Sequence, residues 1–80
     1  MWYVYILRCS DNTLYSGITT DLERRVEEHN TDNKKGAKYT KVRRPVKLVY
    51  KNQCKDRSDA ASREAALKKL TKSEKEALLR

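Results

Sequence analysis

Eighty residues leave room for one domain with a thin core. Hydrophobic and charged residues each make up 38% of the chain, and no apolar run approaches the roughly 20 residues of a spanning helix, which excludes a membrane segment. Nineteen Lys and Arg against eleven Asp and Glu leave a net charge of +8, which calls for a polyanionic partner without naming it.

The opening Met1-Trp2-Tyr3-Val4-Tyr5-Ile6-Leu7 is apolar but lacks a basic n-region and a small-residue cleavage site. Its aromatic and β-branched content predicts a strand, and the chain reads as cytoplasmic. Residues 2–9, the turn-forming Ser10-Asp11-Asn12-Thr13, and Leu14 to Ile18 predict a β-hairpin. Thr20-Asp21-Leu22-Glu23 fits a capping box and predicts a helix from Thr20 to about His29 or Asn30. Asn30 to Gly36 is loop-like, and Ala37 to Val42 forms a short helix before Pro45. Val46 to Tyr50 alternates as a third strand. Asp56 or Ser58 caps a helix through Leu70, and Thr71-Lys72-Ser73-Glu74 is a second capping box opening a terminal helix. The expected architecture is α+β: a small three-stranded antiparallel sheet, the hairpin plus a third strand, flanked by helices.

Cys9 and Cys54 have no CxxC spacing, so they read as buried or half-buried thiols rather than a zinc site or a disulfide. From Lys34 to Lys47 every charged residue is basic: Lys34, Lys35, Lys38, Lys41, Arg43, Arg44 and Lys47. Such a run is either a solvated loop or a polyanion surface. Tyr39 within it favours the second, because an aromatic among cations can stack a base beside a bound phosphate backbone.

At about 100° per residue, setting Leu22 at zero puts Val26 near +40°, His29 near −20°, Arg25 near −60° and Arg24 near 200°. Arg25 and His29 therefore share the apolar side while Arg24 points to water. A histidine there is more often structural than catalytic, yet a cation beside an imidazole suits a phosphate. On the later helix Glu64 lies about 40° from Ala60 and about 60° from Leu67. It is either a surface partner of Lys68 or a carboxylate turned inward for a hard divalent cation. Tyr15 joins the face of Tyr3, Tyr5 and Leu7 only if the hairpin connection is odd-numbered or bulged, and Gly17 would leave space there for a helix or a phosphate. Without further information strand tyrosines are packing residues.

Together these residues resemble the GIY-YIG nuclease family. Tyr3-Val4-Tyr5 matches the first motif without its glycine, and Tyr15-Ser16-Gly17 matches the second with Ser16 in place of isoleucine. Arg25 in "LERRVEEHN" and Glu64 in "SREAALKKL" match the arginine and the glutamate that follow. The stretches "ERRVEEHN", "KKGAKYT" and "RRPVKLVY" are similar to the compact single-domain bacterial members and to the eukaryotic branched-DNA endonucleases.

The resemblance implies hydrolysis of a phosphodiester, in DNA and at branched or flapped structures, with one Mg²⁺ or Mn²⁺. Tyr5 would take a proton from the attacking water, Tyr15 would bond near the scissile phosphate, and Arg25 would neutralise its growing charge. Glu64 would hold the metal, and His29 would support the proton chemistry. Lys34, Lys35, Lys38, Tyr39, Lys41, Arg43 and Arg44 would line the nucleic acid. This site requires Tyr5, Tyr15 and Glu64 on one face of the sheet. A phenol of ordinary pKa near 10 is a poor base at neutral pH. A rate rising above neutrality is therefore expected. The competing readings are a silent nucleic-acid-binding module, for DNA or RNA, and an adaptor for an acidic protein surface. With no second domain expected, either a partner protein supplies targeting or specificity is low.

Overall fold

In the computed structural model, which describes residues 1–79, the apolar opening forms β1 (Trp2–Arg8), paired antiparallel with β2 (Leu14–Thr19). Asn12 takes the left-handed conformation at the turn, φ 69°, which its short polar side chain tolerates. Arg8 pairs with Leu14, so residues 9–13 make an odd-numbered connection. That register sets Leu7 opposite Tyr15 and Tyr5 opposite Gly17, which brings all four onto one face.

The hairpin leads into α1 (Leu22–Thr31), whose cap lies one residue later than the sequence suggests. Asp21 caps it, accepting the Arg24 amide at 3.1 Å, in place of the expected Thr20. A carboxylate at this position satisfies a free amide and also meets the positive end of the helix dipole. A single turn of helix, α2 (Lys38–Lys41), follows. β3 (Lys47–Cys54) then pairs antiparallel with β1, giving the sheet order β2-β1-β3. It runs four residues beyond Tyr50, because as an edge strand it carries the exposed Lys51, Asn52 and Gln53 without burying their polar groups. Asp56, of the two candidate caps, starts α3 (Arg57–Lys68), and Thr71 and Glu74 complete the expected capping box of α4 (Lys72–Leu78).

The alternation of β1 divides the interior in two. Val4 and Ile6 pack against Cys54 and against Ala60 and Leu67 of α3, with Leu70 and Leu79 closing that side. Tyr5 and Leu7 point the other way, onto Cys9 and Val46, with Tyr15, Leu22, Val26 and Leu48 around them. Both thiols are buried and free. Among the described residues no helix is long and apolar enough to cross a membrane.

Candidate active site

Tyr5 is only 2% exposed because its ring lies across Gly17. A Cβ at Gly17 would come within 2.6 Å of Tyr5 Cζ and would also meet the hydroxyl, so the missing side chain is what admits the phenol. The expectation that this space receives a helix or a phosphate is corrected: Tyr5 itself fills it.

The Tyr5 hydroxyl lies 2.9 Å from Nε2 of His29, which is fully buried. Nδ1 of the same ring is 2.8 Å from Oγ1 of the buried Thr40, whose hydroxyl donates to the Ala37 carbonyl at 3.0 Å. With its one proton committed to Ala37, Thr40 accepts from Nδ1–H. Nε2 is then an acceptor, and Tyr5 O–H donates to it. The Ala37 amide also faces Nδ1, at a longer 3.4 Å.

Burial sets the charge state of this pair. It pushes His29 down to about 4, helped by the Arg25 and Arg44 cations and opposed by Glu28. It pushes Tyr5 up to about 12, opposed by the Arg25 guanidinium and reinforced by Tyr15 and Glu64. At neutral pH the pair is a neutral phenol donating to a neutral imidazole.

The other candidate residues converge on it to different degrees. Tyr15 meets the His29 ring edge-on, centroids 5.3 Å apart, and stacks on Tyr39 at 5.8 Å. Arg25, on the α1 turn preceding His29, is fixed by Glu28 at 3.0 Å and by the Lys35 carbonyl at 2.6 Å. Its cation is the nearest positive influence on Tyr5.

Glu64 departs from the expectation of a shared sheet face. α3 packs on the Val4–Ile6 side, opposite Tyr5 and Tyr15. The pattern of a helix tells which of its sides is buried, not which face of the sheet it covers. The requirement of one face is therefore not met by Glu64, whose link to Tyr5 is a through-space charge effect, the weakest of the influences on that phenol. The surface reading holds as well, since Lys68 approaches Glu64 at 3.7 Å.

Among the described residues no three His, Cys, Asp or Glu side chains converge as a metal cage. A lone carboxylate that is 23% exposed suits a hard cation of another kind, one that keeps several waters and takes its remaining oxygens from a substrate phosphate. The donor set thus fits Mg²⁺ or Mn²⁺ at Glu64.

In the basic segment Lys34, Lys35, Lys38 and Lys41 are exposed, as a polyanion surface requires. Arg43 lies 3.9 Å from the centre of the Tyr39 ring and pairs with Asp11 at 3.1 Å. Arg44 is reassigned from ligand binding to structure. Its guanidinium donates to the carbonyls of His29 at 2.7 Å and Asp32 at 3.2 Å, and to Asn33, so it satisfies the end of α1. Two positioning residues escaped the sequence reading. Thr40 orients the imidazole, and Asn30 exchanges two hydrogen bonds with the Val46 backbone, locking α1 to the start of β3. Neither polar residue carries a local pattern that marks its role.

The family description "GIY-YIG catalytic domain" matches residues 1–77. The chain belongs to the GIY-YIG family. It is 53% identical over 79 residues to a UPF0213 protein of Desulfotalea psychrophila, covering 99% of this chain and 71% of the relative. It is 47% identical over 78 residues to a UPF0213 protein of Halobacterium salinarum, covering 98% and 99%. The relatives therefore include archaea, and the likeness is not confined to bacterial members. The solution NMR structure of a UPF0213 protein from Bacillus halodurans superposes with a TM-score of 0.61 at 41% identity, covering 99% of this chain and 83% of that one. An E. faecalis protein solved by NMR gives 0.64 at 47%, covering 96% and 80%. GIY-YIG membership makes this a protein of a nuclease family, whose substrates are nucleic acids and whose members generally use divalent metals.

Proposed function

We propose that this GIY-YIG chain is a divalent-metal-dependent endonuclease that hydrolyses phosphodiester bonds in DNA, acting at branched or flapped structures. The observation that carries this reading is the buried 2.9 Å hydrogen bond from Tyr5 to His29, with the Arg25 cation acting on the same hydroxyl. Any buried phenol takes a hydrogen-bond partner, so it is the titratable imidazole and the nearby cation, rather than the bond itself, that favour chemistry over packing.

In this mechanism Tyr5 accepts the proton of the attacking water at its phenolic oxygen while passing its own proton to Nε2 of His29. The relay avoids a free phenolate, which a hydroxyl at about 12 would rarely supply at neutral pH. Burial leaves Nε2 of the imidazole unprotonated and open to the proton, but a group held at about 4 is a weak base and holds that proton only in passing; Thr40 keeps Nδ1–H turned away. Arg25 stabilises charge growing on the phosphate, and Tyr15 hydrogen-bonds beside it. Glu64 holds the divalent cation, which when bound supplies Lewis-acid stabilisation of the phosphate and the leaving oxygen. Lys34, Lys35, Lys38 and Lys41 hold the backbone of the nucleic acid.

The relay revises the expected pH profile. The competent form exists between the titrations of His29 and Tyr5, so kcat/KM is level from about pH 5 to 10 and falls as His29 takes a proton toward about 4. The functional test incubates labelled single-stranded, duplex, flap and four-way DNA with and without Mg²⁺ or Mn²⁺, in parallel with Glu64→Ala. Metal-dependent cutting lost in the variant supports the reading. Cutting that survives the substitution, or binding without any cutting, overturns it.

A further inference from the structure

The column that runs from Tyr5 through His29, Tyr15 and Tyr39 continues to the Arg43 guanidinium over the Tyr39 ring, and Tyr39 also lines a cavity the proposed chemistry does not use. It has a volume of about 220 Å³ and is lined by Thr13, Leu14, Tyr39, Lys72 and Lys75. The residues come from the turn and first residue of the hairpin's second strand, from α2 and from α4.

Its chemistry is specific in three ways. Lys72 and Lys75 stand three residues apart on α4 and so share one side of that helix. Lys72 donates to Glu76 at 2.8 Å, but Glu76 is also held by both guanidinium nitrogens of Arg8, so that cluster keeps one net positive charge. Lys75 makes no ion pair among the described residues. Leu14 and Tyr39 supply an apolar wall. The Thr13 hydroxyl already donates to Asp11 at 2.6 Å, so toward the cavity it can only accept, as from the amino group of a base. The volume lies below the roughly 300 Å³ at which drug-sized ligand pockets begin, and a base pair does not fit.

We infer that this cavity takes one unpaired nucleotide of the substrate strand, beside the phosphate to be cut, with its phosphate on Lys75 and Lys72 and its base against Leu14 and the edge of Tyr39. The inference rests on the nuclease reading for the position of the cut, and it gives that reading a structural source of selectivity. Tyr39 links the two sites, because it lines the cavity and stacks on Tyr15. A strand entering here is single-stranded at the step next to the cut, as at a flap or a junction.

The test measures binding by fluorescence anisotropy in EDTA, which prevents cutting, on a blunt duplex and on the same duplex carrying a short single-stranded overhang. The wild-type chain is expected to prefer the overhang. Lys75→Gln loses that preference, and the slope of log K against log salt becomes shallower by about 0.7 on the overhang probe alone. Lys75→Arg restores both, which separates charge from folding, and a melting curve confirms that the half-buried surface position tolerates each change. Equal weakening on both probes, no weakening, or a wild-type chain indifferent to the overhang overturns the inference. Cutting of the substrate panel with no Lys75 effect discards the cavity and keeps the nuclease. A selective Lys75 effect without cutting does the reverse.

Discussion

Acid should unfold this protein through a single side chain. His29 is the one histidine in the sequence, is fully buried, and is held at about 4 by burial and by Arg25, with Arg44 adding to it and Glu28 opposing. In the unfolded chain it titrates at its ordinary 6.5. Because the folded value is depressed, the unfolded state binds the proton first. Stability is therefore complete above about 6.5 and is lost as pH falls through the window down to about 4. Linkage gives a loss of about 2 kcal/mol between pH 7 and pH 5, with a limiting slope near 1.4 kcal/mol per pH unit. The carboxylates with lowered values, Glu76 at about 2 and Asp11, Asp32 and Asp59, begin to lose their contribution as pH falls through the ordinary carboxylate values near 4, mostly below pH 5. The interval from pH 5 to 7 therefore isolates the histidine. Urea unfolding followed by circular dichroism at pH 5, 6 and 7 reads this as a midpoint falling by about 2 M, for an m-value near 1 kcal/mol/M. His29→Gln should be less stable throughout but level over the same interval. A wild-type midpoint equal at pH 5 and 7, or the same fall in the glutamine variant, would refute the argument.

Gly17→Ala places a methyl group into the Tyr5 ring, so it should lower stability by about 1–3 kcal/mol in thermal melts and reduce cutting with it. Thr40→Val removes the acceptor for Nδ1–H and leaves the Ala37 amide as the remaining partner, so the ring proton should move to Nε2. The ¹⁵N shifts of His29 report that switch, stability should fall by about 1–3 kcal/mol, and Tyr5 should lose its acceptor. Ser16 carries a buried hydroxyl with no hydrogen-bond partner among the described residues, so Ser16→Ala should raise stability by about 1 kcal/mol in urea melts.

What could be read from the sequence was local. The hairpin, the short helix before Pro45, the Asp56 cap and the Thr71 capping box are each signalled by residues within a few positions of one another, and each forms as expected. The capping-box pattern pointed to Thr20, yet the neighbouring Asp21 can also accept a helix amide, and the carboxylate is the one that does. The end of β3 was hidden since Lys51, Asn52 and Gln53 are polar, and only its place at the sheet edge makes them acceptable strand residues. The site itself divides in the same manner. Helical angle placed Arg25 and His29 on one side, and strand alternation placed Tyr5 and Tyr15 on one face once the connection proved odd-numbered. Thr40, Asn30 and Arg44 act across 11 to 16 residues through hydrogen bonds that follow from the assembled fold. The position of Glu64 on the far helix layer likewise depends on which face of the sheet α3 covers, and helical periodicity does not encode that choice.

The central claim is that Tyr5 carries the proton of the attacking water to His29, and single-turnover cutting of a flap substrate by Tyr5→Phe tests it most directly. The variant keeps the ring over Gly17 but leaves Nε2 of the buried His29 without its donor, so a loss of about 1–3 kcal/mol is expected and cutting is compared at a temperature where a melting curve shows the variant folded. Its cutting rate should fall about 10²–10⁴-fold in Mg²⁺. A phenylalanine variant that cuts at the wild-type rate would contradict the account.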